Sequence, residues 1–233
     1  MNKKTIRFRP ATKQIDMCLD APKPSTEYVP DWYRHSHRFT NDKMASGPGG
    51  LNKDIKLCVP FLDAMISGYC LELASDVFIE RNGSGVGFLT QGEIEIVTIR
   101  PKDTATLVPR PAGTDFDMYA WNGVWGTETP KGYSSLFVHP LNRFDLPFTT
   151  TSGIIDSDKH VTSGEIPFFL KQGFEGIIPA GTPIVQIIPF KRDEWVSQKD
   201  SYDEAVDQRK HFEVNRYMVG AYRKLSWQRK SYK

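Results

Sequence analysis

The stretch GIIDSDKHVTSGEIPFFLKQGFEGIIPAGTPIVQIIPF, residues 153–190, alternates short apolar runs with residues that favour turns. Its apolar runs span 154–155, 166–170, 177–178 and 184–188. Glycine, proline and aspartate stand between them, and these residues favour turns because their backbones or side chains suit turn geometry. Short strands between such turns are typical of β-sandwiches and barrels. The sequence therefore predicts a mainly β protein with this stretch at its core.

Gln186 is the one polar residue of the last apolar run, IVQII. A buried amide needs hydrogen-bond partners, because an unpaired polar group in a core costs free energy. We therefore expect its side chain to tie this strand to a neighbouring loop.

The composition narrows the class of protein. The chain has 233 residues, 39% of them hydrophobic, and a formal net charge of +2. This length suits one large β domain with appendages, or two small domains. No run approaches the ~18 apolar residues of a membrane-spanning helix, and the N-terminal MNKKTIRFRPA lacks the apolar core of a signal peptide. The three cysteines show no CxxC spacing, which favours reduced thiols and synthesis in the cytoplasm.

Residues 1–50 are proline-rich, and we interpret them as an extended N-terminal arm. Pro30 or Asp31 opens a predicted short helix that carries Trp32 and Tyr33. Exposed clusters of large aromatic side chains usually mark contact surfaces, so Trp32 and Tyr33 are candidate partner-binding residues. The arm wraps either its own barrel or a neighbouring subunit.

Residues 51–196 supply the predicted barrel. Asn82-Gly83 is a strong signal for a hairpin turn. Trp121 and Trp125 flank a second Asn-Gly pair and lie either in the core, which we favour, or on a stacking surface.

Residues 197–233 are poor in glycine and proline and rich in helix-forming residues, so they predict a basic C-terminal helical tail. Acidic residues crowd its start and basic residues its end, which complements the helix dipole. The tail is interpreted either as a solvated helix packed on the barrel or as a segment whose basic end binds an acidic partner or nucleic acid. The candidate partner-binding residues of the tail are Arg223, Lys224, Trp227, Arg229 and Lys230.

Three motifs follow one another between Thr129 and Phe190. TPKG at 129–132 resembles a Pro-x-Gly turn, GIIDSD at 153–158 a Gly-x-Ile-Asp motif, and IPAGTPIVQI at 178–187 a Gly-x-x-Ile-Ala-Gln-Leu strand. In this order they resemble the dUTPase and dCTP deaminase family, which has the β-clip fold. The resemblance implies a dUTPase-like barrel, a homotrimer with sites between its three subunits, and an aspartate, here Asp156, that meets the nucleotide.

The chain departs from that family at the residues that carry its chemistry. Val138-His139-Pro140-Leu141-Asn142 stands where the family has its phosphate-holding Arg-Ser-Ser, and Cys70 where dUTPases place the water-holding aspartate. Lys159 replaces the tyrosine that screens the sugar, and Phe169 stands at the position of the deaminase base. Phenylalanine cannot accept a proton. The Gly-rich C-terminal lid is also missing, so no catalytic residues are predicted.

A nucleotide-binding enzyme or sensor of this superfamily remains the alternative. It would bind its nucleotide, with Mg²⁺, through substituted ligands. The candidate nucleotide-binding residues are Asp156, His139, Arg143 and Gln186.

Other chemistry finds little support in the sequence. His35-Ser36-His37 offers two metal ligands, but no third ligand stands near them. We interpret both histidines as exposed residues of a polar loop. The prediction is no metal site and no cofactor outside the nucleotide alternative.

Some head decoration proteins of tailed phages resemble the β-clip fold as well, and they act as trimeric structural units without catalysis. A retained barrel, substituted site residues and an aromatic arm favour that use. Our leading hypothesis is a non-enzymatic structural or assembly protein of a phage virion, in its head decoration, neck or tail. It would bind itself as a homotrimer and other structural proteins, with no membrane contact. A nucleic-acid-associated protein with a basic tail is a third hypothesis.

Overall fold

The computed structural model describes residues 4–40, 52–83, 85–92, 94–100, 108–217 and 220–233. Residues 41–50 of the predicted arm lie outside these ranges. Within the described ranges the chain forms sixteen strands and five α-helices. The strands are β1 (Arg7–Pro10), β2 (Lys23–Pro24), β3 (Phe39–Thr40), β4 (Asn52–Lys53), β5 (Tyr69–Glu72), β6 (Val77–Asn82), β7 (Gly85–Thr90), β8 (Val97–Ile99), β9 (Thr114–Trp121), β10 (Trp125–Glu128), β11 (Tyr133–Val138), β12 (Phe148–Thr150), β13 (Gly153–Ile155), β14 (Ile166–Lys171), β15 (Gly176–Ile178) and β16 (Pro183–Lys191). The helices are α1 (Lys13–Cys18), α2 (Asp31–Arg34), α3 (Val59–Ile66), α4 (Glu204–Asn215) and α5 (Ala221–Leu225).

The four apolar runs of the 153–190 stretch all form strands, and they join three different sheets. A five-stranded antiparallel sheet has the order β13-β11-β16-β5-β2. β16 lies at its centre, and the first five residues of that strand are buried. A central strand covered on both faces accounts for the continuous apolar run in its sequence.

Gln186 of β16 behaves as predicted. Its Oε1 accepts a hydrogen bond from the backbone N–H of Leu141 at 2.8 Å, and its Nε2 donates to the carbonyl oxygens of Ala64 at 2.9 Å and Ser67 at 2.5 Å. The side chain is 1% exposed. The amide therefore ties the central strand to the loop after β11 and to the end of α3, which confirms the expectation.

Gly68, just before β5, permits a close backbone approach. Its φ is 71°, in the left-handed region that favours glycine. A Cβ at this position would lie 2.1 Å from the carbonyl oxygen of Ile187 in β16. Any side chain here would push β5 and β16 apart.

A four-stranded sheet of order β12-β14-β9-β8 supplies the aromatic core. Trp121 of β9 stacks on Phe168 of β14 with ring centroids 3.8 Å apart, and Phe148 of β12 meets both edge-on. All three side chains are buried, and Trp125 of β10 is buried as well. The core interpretation of both tryptophans is therefore confirmed.

A three-stranded sheet of order β15-β6-β7 contains the predicted hairpin. β6 ends at Asn82 and pairs there with Gly85, the first residue of β7, so the Asn82-Gly83 turn is confirmed. Two smaller sheets, β1-β10 and β3-β4, complete the strand pairing of the described residues.

The predicted mainly β class with a helical C-terminal tail is confirmed, but the described strands do not close into a barrel. The described strands form separate open sheets, and none of these sheets closes on itself. Strands from one stretch of sequence join different sheets here, so alternating apolar runs could indicate β structure without indicating closure.

The described part of the arm lies on its own chain. β1 pairs with β10, β2 pairs with β5, and Ile15 of α1 is buried in the core. α2 begins at Asp31, as predicted, and places Tyr33 against Phe61 of α3 in a stacked pair.

The tail consists of two helices in place of one. Gly220 takes a left-handed φ of 78° at the start of α5 and separates it from α4. The sequence of this tail predicts a helical apolar stripe at Tyr202, Val206, Tyr217, Met218, Ala221 and Leu225. Of these residues, Tyr202, Val206 and Leu225 are exposed. Met218, which the predicted stripe included, lies outside the described residues.

Candidate binding surfaces

Asp156 lies in the turn after β13, in an ion-pair network centred on Arg192. Arg192 donates to both carboxylate oxygens of Asp158, at 2.8 and 2.5 Å, and to Oδ1 of Asp156 at 3.1 Å. The Ser134 hydroxyl donates to the same Asp156 oxygen at 2.7 Å and lowers the pKa of that carboxyl. The Arg192 hydrogen bonds lower the pKa of Asp158 to about 2. Both carboxylates are therefore ionised at neutral pH and partnered within the chain.

A chain of buried hydroxyls supports this turn. Ser157 Oγ lies 2.9 Å from Thr129 Oγ1 and 2.8 Å from Ser135 Oγ. Thr129 Oγ1 also donates to the carbonyl oxygen of Tyr133. These bonds satisfy buried polar groups and hold the turn against β11.

His139 and Arg143 lie on the loop after β11, beside Gln186. His139 Nε2 lies 3.1 Å from the carbonyl oxygen of Arg143, and Nδ1 lies 3.3 Å from the backbone nitrogen of Thr150. Burial lowers the pKa of His139, so the imidazole is neutral at pH 7. Arg143 forms a fork on Asp145, with contacts of 2.9 to 3.2 Å. The side chains of His139, Arg143 and Gln186 therefore hold the loop after β11 in place.

The four predicted nucleotide-binding residues occupy two separate places in one chain. Asp156 contacts Ser134 at the start of β11, whereas His139 follows Val138 at its end. A strand rises about 3.4 Å per residue, so the ends of this six-residue strand lie roughly 17 Å apart. The structure brings His139, Arg143 and Gln186 together and leaves Asp156 apart from them.

An open cleft of about 590 Å³ lies between the arm and the loop that carries Arg143. Trp32, Arg34 and Arg143 contribute to its walls, and Trp32 is 42% exposed. Tyr33, the other aromatic candidate of the arm, is instead buried, with Lys56 Nζ 4.6 Å from its ring centroid. Trp32 is therefore available to a partner and Tyr33 holds the arm on its own chain.

The tail docks on α3 through two of its five candidate residues. Trp227 Nε1 donates to Asp63 Oδ2 at 2.8 Å, and Lys230 Nζ donates to the same oxygen at 2.7 Å. Arg223 stands over the Trp227 ring, 5.9 Å from its centroid. Lys224 lies 4.8 Å from the ring centroid of Tyr217, and Arg229 is exposed. Trp227 and Lys230 thus anchor the tail, and Arg223, Lys224 and Arg229 remain at its surface.

An apolar row crosses the outer face of the three-stranded sheet. Phe78 of β6 pairs with Ile177 of β15 on one side and with Leu89 of β7 on the other. Val77 and Ile79, the neighbours of Phe78, face the core and are buried. Directly paired residues share a face, so Ile177, Phe78 and Leu89 form one row, which we call the apolar ladder. Ile177 is 50% exposed and Leu89 54% exposed.

In the described ranges, no three His, Cys, Asp or Glu side chains come together as metal ligands. His35 Nδ1 lies 2.9 Å from the carbonyl oxygen of Asp31, within α2. None of the described helices combines the length and the apolar character needed to cross a bilayer.

Sequence reasoning missed Arg192, Ser134, Ser135 and Ser157. Arg192 directly follows β16, and its partner Asp158 stands two positions after Asp156. The antiparallel register that pairs Tyr133 with Lys191 brings these groups together, and that register is not readable from local periodicity.

A scan against protein-family models returned no match, and a search of curated proteins returned no significant match.

Proposed function

We propose that the protein is a non-enzymatic assembly protein that binds copies of itself, as a homotrimer, and other structural proteins of a phage particle. The resemblance of its motifs to β-clip proteins, which include trimeric head decoration proteins, supports the trimer and the virion.

The apolar ladder is the observation that carries this proposal. An antiparallel sheet with one face in water normally shows polar residues on that face. Here Ile177, Phe78 and Leu89 occupy three neighbouring outward positions. Full burial of one such side chain contributes about 1.5–3 kcal/mol. A contiguous apolar row of this kind is typical of a protein-binding surface.

The bonding of the candidate ligand residues supports the same proposal. His139, Arg143 and Gln186 hold the loop after β11, and Asp156 holds a turn with Arg192. Side chains that make these structural contacts would have to give them up before they could bind a nucleotide or move a proton.

Mass measured by light scattering across protein concentration tests the proposal. We expect the mass of the wild type to exceed the 26.5 kDa of one chain. Leu89→Lys and Ile177→Lys should each lower the measured mass towards 26.5 kDa. Gln91→Lys adds the same charge just beyond β7 at an exposed position outside the ladder, and should leave the mass unchanged. A monomeric wild type at all concentrations would refute self-association.

Nucleotide binding is the second candidate, and the cleft beside the arm favours it. Its volume of about 590 Å³ lies within the usual range for small-molecule sites. Trp32 offers a stacking surface, and Arg34, which has no carboxylate partner among the described residues, offers a positive charge.

Isothermal titration with dUTP, dCTP and dTTP in the presence of Mg²⁺ tests this candidate. Micromolar binding that Arg34→Ala abolishes would support the cleft. Loss of binding in Asp156→Asn would instead require that Asp156 reach the nucleotide from another copy. No heat with any of the three nucleotides would exclude the candidate.

A further inference from the structure

A cleft of about 450 Å³ opens where the end of the tail meets the beginning of the chain. Lys4, just before β1, contributes to its walls, together with Tyr232 and Lys233 of the tail. Tyr69 of β5 and Tyr133 of β11 line it from the five-stranded sheet. We call it the tyrosine cleft, because three tyrosine side chains belong to its lining.

The docked tail builds one part of this cleft. Two hydrogen bonds to Asp63 anchor the tail on α3. Beyond this anchor, the ring of Tyr232 meets the ring of Tyr69 edge-on, with centroids 5.9 Å apart. The Tyr69 hydroxyl also donates to the carbonyl oxygen of Lys233 at 3.3 Å. The cleft therefore depends on the tail remaining docked.

The two segments that meet at the cleft are basic. Residues 4–9 contain three lysines or arginines and residues 221–233 contain five, and neither segment contains an aspartate or glutamate. Arg7 and Arg9 pair with Glu128, and Lys230 pairs with Asp63. The other five are exposed and form no ion pair within the described ranges: Lys4, Arg223, Lys224, Arg229 and Lys233.

The lining of the cleft favours an anionic ligand with flat rings. No aspartate or glutamate lines it, whereas two lysines do. Lys4 Nζ lies 5.7 Å from the ring centroid of Tyr133, so a positive charge stands beside an aromatic ring. Aromatic side chains next to lysines and arginines are typical of surfaces that bind single-stranded nucleic acid, where bases stack on the rings and phosphates meet the cations.

A strand fits this surface better than a small anion does. The volume of the cleft lies within the ~300–1,000 Å³ of small-molecule sites, so it has room for one nucleotide. The exposed positive charge continues beyond the cleft along the tail, where further phosphates of the same strand would lie. The bases of a duplex are stacked on one another, so rings inside a cleft do not reach their faces.

We propose that the tyrosine cleft binds single-stranded nucleic acid. One base stacks on its tyrosine rings, and the neighbouring phosphates lie against Lys4, Lys233 and the exposed basic residues of the docked tail. The binding surface thus combines the tail with the start of the chain and with the five-stranded sheet. This activity goes beyond the proposed assembly function and does not depend on self-association.

Fluorescence anisotropy with a labelled oligothymidine strand of about 12 nucleotides tests the charges. For a single strand, the logarithm of the binding constant falls with the logarithm of the salt concentration by about 0.7 per phosphate contact. Lys4→Gln and Lys233→Gln should each weaken binding and make this slope shallower by about 0.7. Lys199→Gln, at an exposed position before α4, should change neither quantity.

The same assay tests the stacking. Tyr232→Ala should weaken binding by about fivefold or more at unchanged salt slope, because stacking on a ring releases no counterions. Tyr202→Ala is the matched control, since Tyr202 is 79% exposed and lies outside the cleft. A polyglutamate of the same length carries the charges without the bases. Competition by polyglutamate as strong as that by unlabelled oligothymidine would overturn the inference.

Asp63→Ala separates the docked cleft from a tail that binds as a flexible polycation. The change removes the anchor of the tail and makes the chain more positive by one charge. The cleft predicts weaker binding, whereas a flexible basic tail would bind as tightly as before or more tightly. Circular dichroism verifies that the variant folds, and the two lysine variants test the cleft independently of it.

Binding of Asp63→Ala equal to or tighter than that of the wild type would overturn the inference. So would the absence of binding to both oligothymidine and oligouridine at low salt. Binding of either strand supports the inference, and the tighter of the two identifies DNA or RNA as the partner. None of these outcomes changes the mass expected in light scattering, so the proposed function is tested separately.

Discussion

Replacing Gln186 by leucine removes the only amide in the buried part of β16 at nearly constant volume. The change leaves the N–H of Leu141 and the carbonyl of Ala64 without this partner, whereas the carbonyl of Ser67 loses one of two bonds and still accepts from the Ser25 hydroxyl at 3.0 Å. A buried polar group that loses its partner costs about 1–3 kcal/mol. We expect the free energy of unfolding to fall by about 3–5 kcal/mol, a large share of the ~5–15 kcal/mol typical of a folded domain.

Urea unfolding followed by tryptophan fluorescence measures this loss. Gln198→Leu is the matched control, because Gln198 is exposed and its side chain donates to the nearby Asp200. Its effect should stay within about 0.5 kcal/mol.

Gln186→Glu adds a pH dependence of known sign. One oxygen of the introduced carboxyl can keep the Leu141 bond, but the other faces the carbonyl oxygens of Ala64 and Ser67 and bonds to them only when protonated. The folded state therefore raises the pKa of this carboxyl above the ~4.3 of the unfolded chain. The variant should be closest to wild type near pH 4 and lose stability as the pH rises. A cost of Gln186→Leu below about 1 kcal/mol, or a Gln186→Glu deficit that does not change with pH, would refute the reasoning.

Three further predictions concern stability and reactivity. Gly68→Ala should lower the free energy of unfolding by about 3–5 kcal/mol, because its Cβ would lie 2.1 Å from a carbonyl oxygen of β16. Gly132→Ala, also at positive φ but in open space, should lower it by only about 1–2 kcal/mol. Chemical denaturation measures both values. Burial raises the pKa of Cys70 to about 12, so a thiol reagent should titrate two cysteines in the native protein and three after unfolding. Arg192 lowers the pKa of Asp158 to about 2, so Asp158 stabilises the fold above pH ~4 and this contribution disappears as the pH falls towards 2. Asp158→Asn should show a flatter acid-unfolding profile over that range, and an unchanged profile would contradict the role of the pair.

The sequence predicted the strands of the 153–190 stretch, because strand formation leaves a local signal. The apolar runs at 154–155, 166–170, 177–178 and 184–188 each lie within a strand. The role of Gln186 was also predictable, since a lone amide in an apolar run must find partners.

Sheet membership and the binding surfaces were not predictable in the same way. β14, β15 and β16 follow one another in sequence but belong to three different sheets, and this follows from long-range register alone. The network around Arg192 depends on the same register. The apolar ladder follows only from the pairing of β6 with both β15 and β7. This pairing places Ile177, Phe78 and Leu89, which are far apart in sequence, side by side.

The order of the five-stranded sheet also governs how the chain folds. Its central strand, β16, pairs with β5, and the register joins Tyr69 to Ile187, residues 118 positions apart. Closing so long a loop loses chain entropy before any contact compensates, which slows folding. The β6-β7 hairpin can form within microseconds, whereas the sheet at the centre of the molecule must wait for the last of its strands to be synthesised. During synthesis, β5 and β11 therefore leave the ribosome before β16, the strand that lies between them in the sheet. We expect folding of the core to begin only after β16 has emerged.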